Sequence, residues 1–188
     1  MLQIFRIATA SILFAFLCSC VTTSLSSYTD PAFAGITFDS VAVWVDTSDL
    51  EWRQDLETSM QERVVTNTGA KAVRVIDIAP PTRGYDASEI FELMRGAGVE
   101  AVIVVAFTET GVAQTVSGNQ YGVYTSDMPW AEAAVDLYQV ESGAKVWMGT
   151  AKTQGDEFTD WEAVRRSAGS KVIAELLANG FLPPPREE

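Results

Sequence analysis

Histidine is absent from the chain, and its two cysteines, Cys18 and Cys20, stand one residue apart near the start. Without imidazole there is no Ser-His or Cys-His nucleophile pair, no histidine acid or base, and none of the usual zinc ligand sets. Cations are scarce too: 13 Lys+Arg face 25 Asp+Glu, a formal charge of −12 at pH 7. Nucleic acid and anionic lipid are both held through basic patches, so no nucleic-acid partner and no electrostatic docking on lipid is expected. There is no Gly-rich phosphate loop and no EF-hand spacing. Carboxylate chemistry, a Ser-Lys pair or an oxygen-only metal site stays open, but the acidic residues are scattered along the chain. No cofactor and no metal site is expected.

The first apolar run is short. It covers Ile7–Leu17, 11 residues preceded by the single cation Arg6. At about 1.5 Å rise per residue a helix of that length crosses roughly half of a ~30 Å hydrocarbon core, whereas spanning takes about 20 residues. The length suits the apolar region of a secretory signal. It ends in Leu17-Cys18-Ser19-Cys20. That phrase resembles the lipobox of bacterial lipoproteins, with Leu at −3, small residues at −2 and −1, and the acceptor Cys. The resemblance implies cleavage of residues 1–19 as a signal peptide. It also implies acyl chains, palmitate among them, on Cys20, and thereby a membrane partner. Cys18 is then lost and Cys20 blocked, so no free thiol remains for a disulfide, a nucleophile or a metal. Arg6 leaves with the signal, giving 12 Lys+Arg against 25 Asp+Glu, a charge of −13. Val21, not Asp, follows the acceptor. By the sorting rule of Gram-negative lipoproteins this places the anchor in the outer membrane, facing the periplasm.

The stretch Val21–Ser27 is rich in hydroxyls and poor in packing groups, and residues 20–37 read as a flexible tether. Extended, some 16 residues reach roughly 50 Å. One α/β domain is expected over 38–182, with 183–188 a disordered tail. Its elements follow from periodicity. Val41–Val45 is a strand buried on both faces. Ser48-Asp49-Leu50-Glu51 is a capping-box pattern with Ser48 as the cap. The helix behind it runs to about Thr66 with Trp52, Leu56, Met60 and Val64 as its stripe, and Gly69 supplies a left-handed residue at its end. A strand is expected at about 72–78 and a helix from Asp86-Ala87-Ser88-Glu89 with Ile90, Phe91, Met94 and Ala97 inward, closed by Gly98. Another apolar strand follows at Ala101–Phe107. The three strands run parallel, the first in the middle. Ala131–Val140, a turn at Glu141–Ala144 and Lys145–Thr153 form a hairpin, and a helix capped at Thr159 runs to Gly180. The whole is a mixed sheet of about five strands, β-α-β-α-β-β-β-α, with three helices packed on it. Trp44, Trp52, Trp147 and Trp161 fall on its buried faces.

That order combines with three phrases: Phe38–Val43, Met94–Val104 and Val135–Trp147. Together they resemble the periplasmic lipoprotein domains of the curli-secretion-channel and penicillin-binding-protein-activator superfamily, over about Phe38–Phe181. The resemblance implies a non-enzymatic envelope protein, acting through another envelope protein or through self-association, in envelope assembly or regulation of wall synthesis. An oligomeric component of an outer-membrane secretion or transport complex is the alternative. Secretion channels of that group build their barrel from two long amphipathic hairpins. Here one insertion, Thr108–Trp130, has the length, and its alternation is weak, so no pore is expected.

The same insertion is the leading candidate interaction site. Tyr121, Tyr124, Met128 and Trp130 sit in it beside Gly118 and Gly122, and aromatics and Met are enriched at interfaces. The plain alternative is one long hairpin with Gly118-Asn119 near its tip. A weaker ligand-site candidate is Asp46, Ser48, Arg83 and Tyr85, at the carboxyl ends of the parallel strands, where crevices often bind ligands.

Overall fold

The computed structural model describes residues 21–119 and 122–186, so the lipobox, Cys20 included, and Tyr121 lie outside the described residues. The strands are β1 (Thr22–Thr29), β2 (Ser40–Asp46), β3 (Lys71–Arg74), β4 (Ala101–Asn119), β5 (Gly122–Gln139) and β6 (Lys145–Gln154). The helices are α1 (Leu50–Asn67), the single turn α2 (Val75–Ile78), α3 (Ala87–Gly96) and α4 (Trp161–Ala178). They form one mixed sheet in the order β1-β6-β5-β4-β2-β3. As expected, β2 lies between β3 and β4 and parallel to both. The other three pairings are antiparallel.

Strand alternation divides the core in two. Val41, Val43, Val45, Ile103, Val105, Val135, Leu137, Trp147 and Ala151 face the stripe of α1 (Leu56, Met60, Val64) and the face of α4 (Val172, Ile173, Leu176). On the other side Ala42 and Val102 meet Ile90 and Met94 of α3, with Val75 and Val140. Each Val, Leu, Ile or Met side chain among them gains about 1.5–3 kcal/mol on leaving water.

Several expectations need correction. The sheet has six strands because part of the tether is β1, paired along its length with β6 from Thr22↔Gln154 to Thr29↔Trp147. Its inward hydroxyls are bonded: Thr23 Oγ1 to Thr153 Oγ1 (2.9 Å) and Ser167 Oγ (2.8 Å), and Ser27 Oγ donates to Glu175. The tail is held at its start, since Gly69 N donates to Pro183 O at 2.9 Å. Gly69 has no positive φ, unlike Gly98 (73°) and Gly180 (79°); a Cβ there would lie 2.7 Å from Pro184 O, so it serves a close approach. β3 stops at Arg74 because the Ile76 N–H is taken by a side chain described below.

Two caps sit one residue later than expected. Asp49, not Ser48, accepts from Trp52 N (3.0 Å), and Asp160, not Thr159, accepts from Ala163 N (2.7 Å). Asp86 and Glu89 do form the capping box of α3. Urea unfolding distinguishes the caps of α1: Asp49→Ala is expected to cost about 1 kcal/mol and Ser48→Ala a few tenths or less.

Candidate interaction surface

β4 and β5 pair without a break in direction from Ala101↔Gln139 to Asn119↔Gly122. The long hairpin given above as the plain alternative is therefore present. Its neighbours end early. β2 stops at Asp46, opposite Ala106, and β6 at Gln154, opposite Trp130. Beyond Gly111↔Trp130 no other described strand pairs with the arms for eight residues, about 27 Å at ~3.4 Å each. Across 110–131 the only charged side chain is Asp127, which accepts from Gln114 Nε2 at 3.0 Å.

The arms have two faces. A register shift between Phe107 and Glu109 sets Val112, Val116 and Val123 on the helix side of the sheet. They are 50%, 70% and 75% exposed. On the opposite side lie Trp130 and Met128, both half-buried. Trp130 stands over Gly111 on the paired strand: a Cβ there would come within 2.8 Å of Trp130 Nε1, so only glycine fits. Tyr124 pairs with Ser117 in the ladder. Of the four insertion residues named from sequence, Met128 and Trp130 share a face at the hairpin base.

Trp52, Phe107 and Trp161 cluster at that base on the helix side, with ring centroids 5.5 and 5.7 Å from Trp52. The Arg165 guanidinium caps Trp52 at 4.8 Å. Trp44, Trp52 and Trp161 are half-buried rather than enclosed; Trp147 alone of the four is fully buried.

On the side away from α1 and α4, α3 and its flanking loops cover β2, β3 and the near part of β4. Apart from Phe91 of α3 against Tyr138 at the end of β5 (5.8 Å between centroids), no described helix lies on this side of the β5-β6-β1 half. Its outward residues are Glu132, Ala134 and Asp136 on β5, Met148, Thr150 and Lys152 on β6, and Ser24, Ser26 and Tyr28 on β1. Tyr28 and Met148 sit opposite each other and are exposed. Lys145 pairs with Asp136 (2.7 Å) and Lys152 with Glu132 (2.8 Å). Those hydrogen bonds raise both lysine pKa values. Lys145 also completes a Ser-x-x-Lys spacing from Ser142. Ser142 Oγ donates to Gln139 Oε1 (2.7 Å) while Lys145 keeps its proton beside Asp136, so the two make no nucleophile–base pair.

At the carboxyl ends of the parallel strands the four ligand candidates divide. Arg83 lies over the Tyr85 ring at 5.6 Å, and Tyr85 packs on the α3 core. Asp46 and Ser48 are exposed on the other connection. No hydrogen bond or ion pair among the described residues joins the two pairs. The polar group sequence reading missed is Glu57. It is fully buried and accepts from Val45 N (3.2 Å), Ile76 N (3.0 Å) and Arg53 Nε (2.9 Å). Burial pushes its pKa up, against the lowering effect of those donors. Its trace in the sequence is the Arg53–Glu57 spacing of four on α1, next to Leu56 of the buried stripe. A groove of about 510 Å³ between α1 and α4 is lined by Asp55, Glu62, Arg74, Glu162, Arg165 and Arg166. Its arginines are already paired: Arg165 to Asp55, Arg166 to Glu162, Arg74 to Asp77. Among the described residues no three His, Cys, Asp or Glu side chains cluster as metal ligands.

No protein-family model matches the chain, and no curated sequence matches it. Solved structures do. A chain of the PelC dodecamer from Paraburkholderia phytofirmans matches with a TM-score of 0.56 at 20% identity, covering 82% of this chain and 97% of that one. Lipoprotein GNA1162 from Neisseria meningitidis matches at TM-score 0.44 and 14% identity, over 74% and 98% of the two chains. The LpoB C-terminal domain from Escherichia coli matches at 0.40 and 14%, over 63% and 84%. The class defined is thus a single α/β domain with a mixed open sheet. The particular fold is that of the PelC protomer, which this domain shares nearly end to end.

Proposed function

We propose that this chain is an envelope lipoprotein, cleaved before Cys20 and acylated there, that works without catalysis through contact with other proteins, first of all with further copies of itself. The uncovered β5-β6-β1 half of the sheet carries this reading. It carries Ala134, Thr150, Ser24 and Ser26 with Tyr28 and Met148 at one end, and its lysines are already neutralised by carboxylates. The PelC protomer, of the same fold, was crystallised as a dodecamer. Copies acylated in one membrane share a polarity, so association by rotation about an axis normal to that membrane suits them, whether a closed ring or a two-fold.

The test is the mass of the lipidated protein in detergent by light scattering. The expected result is a defined oligomer that falls to monomer on Ser26→Arg with Met148→Arg. A monodisperse monomer from the unaltered protein sinks self-association. A defined oligomer is also what a component of an outer-membrane secretion or transport complex requires, whereas a regulator of wall synthesis can act as a monomer. Affinity capture from solubilised envelopes with and without Trp130→Ala addresses the second class of partner. Loss of one protein with the variant supports a heterologous envelope partner at the hairpin base.

A further inference from the structure

The start of β1 sets how far the domain stands from its anchor. Thr22 is paired with Gln154, which is level with Trp130 and Gly111. Cys20 is two residues earlier, at most about 7 Å of chain. The free arms of the hairpin leave from that same level, at the end of the sheet where β1 begins, and run about 27 Å further. A membrane surface within reach of Cys20 therefore meets the hairpin long before the rest of the domain. The arms either lie along that surface or enter its interface. Their composition suits this: one charge in 110–131, in a chain that is 20% charged overall. So does the helix-side face, where Val112, Val116 and Val123 are exposed on either side of the mutually bonded Gln114–Asp127 pair. Phe158 adds to it. The loop that carries Phe158 is tied to the hairpin base by Gly155 N donating to Pro129 O at 2.9 Å, and Phe158 is 80% exposed. With residues 1–19 removed, 12 Lys+Arg against 25 Asp+Glu give a charge of −13, which leaves apolar contact, not charge, as the attraction.

We propose that the helix-side face of the β4–β5 hairpin, with Val112, Val116, Val123 and Phe158, seats on the lipid surface that holds Cys20. This rests on acylation of Cys20. The acyl chains on Cys20 hold the domain to the membrane without fixing how it lies there, and an added apolar contact sets its orientation. The opposite face, with Trp130 and the open sheet, is left for protein contact.

Acylation blocks the only thiol of the mature chain, so Val116→Cys or Val123→Cys offers one site for an environment-sensitive dye. Both positions are exposed, and the substitutions leave the core untouched. Glu141→Cys, in the β5–β6 turn at the far end of the sheet, is the control. The lipidated variants go into vesicles of phosphatidylethanolamine and phosphatidylglycerol carrying acyl-chain spin labels. The expected result is a several-fold rise in dye emission with a blue shift, quenched by the spin-labelled lipid, at 116 and 123 and not at 141. Emission at 116 and 123 that stays as in water, in protein floating with the vesicles, overturns the proposal. So does a rise that spin-labelled lipid fails to quench and that follows protein concentration, which marks contact between copies. Protein that does not float, or whose Cys20 itself takes the dye, overturns the acylation reading, and this inference falls with it.

Discussion

Glu57→Ala is expected to lower stability by about 3–5 kcal/mol, the range for breaking a buried ion pair by removing one partner. For a domain of this size that is a fall of roughly 10 °C in Tm. The loss has three parts. Arg53 keeps a mostly buried charge without its partner, and the N–H groups of Val45 and Ile76 lose their acceptor inside the protein. The Val45 amide lies near the carboxyl end of β2 and the Ile76 amide in α2, just past β3, so Glu57 pins α1 to the ends of the two parallel strands it covers. Glu57→Gln keeps one acceptor oxygen and is expected to cost less. The pH dependence has a definite sign. Burial raises the Glu57 pKa in the fold, so the unfolded chain releases this proton first. The stability Glu57 contributes is present below the ordinary glutamate pKa of about 4.3 and is lost as pH rises through the raised folded value. Urea midpoints of the unaltered protein minus those of Glu57→Gln should therefore decline from mild acid toward neutrality. A difference that grows over the same range shows a carboxyl held ionised by its donors instead.

The second large effect is at Trp147. It is fully buried in the larger core cluster, and its ring passes over Gly149 two residues on, where a Cβ would lie 2.7 Å from Cη2. Trp147→Ala leaves a void bounded by rigid strands and is expected to cost about 3–5 kcal/mol. Trp147→Phe is expected to cost far less than the lost volume suggests. Trp147 Nε1 is buried with no hydrogen-bond partner among the described residues, and its removal lifts a desolvation penalty of about 1–3 kcal/mol. Chemical denaturation of the two variants checks both. A Trp147→Phe loss as large as its lost volume alone implies would show that the indole N–H is satisfied in solution.

Much of this architecture was legible because its central elements carry strong one-dimensional signals. Val41–Val45 and Ala101–Phe107 are apolar throughout, and the stripe Trp52-Leu56-Met60-Val64 has helical period. The length of the hairpin was legible too, since Gly118-Asn119 stands between two weakly alternating arms. β1 was not. Its sequence is mostly Ser and Thr, and it is a strand only because β6, more than a hundred residues away, offers a ladder and α4 offers partners for its hydroxyls. The stretch after Arg74 shows the reverse. Its branched residues favour a strand, but the Glu57 carboxylate claims the Ile76 N–H and the chain turns into α2, a tertiary contact overriding local preference. The two caps were misplaced by one residue because Ser48 and Asp49, like Thr159 and Asp160, are both competent acceptors. Among the interaction residues, composition singled out the hairpin but could not separate its faces. That division depends on the register shift after Phe107.

The pairing of β1 with β6 also orders events in time. β1 is the first described element to be synthesised and its partner is among the last, with 117 residues between Thr29 and Trp147 in the ladder. Until β6 has followed, β1 has no strand to join, and long-range pairings of this kind close late. On the reading proposed above, in which the chain is cleaved before Cys20, Thr22–Thr29 is therefore still slack when the cut is made. Completion of the sheet then takes up that slack. A segment that is free in the growing chain ends as a fixed edge of the folded domain.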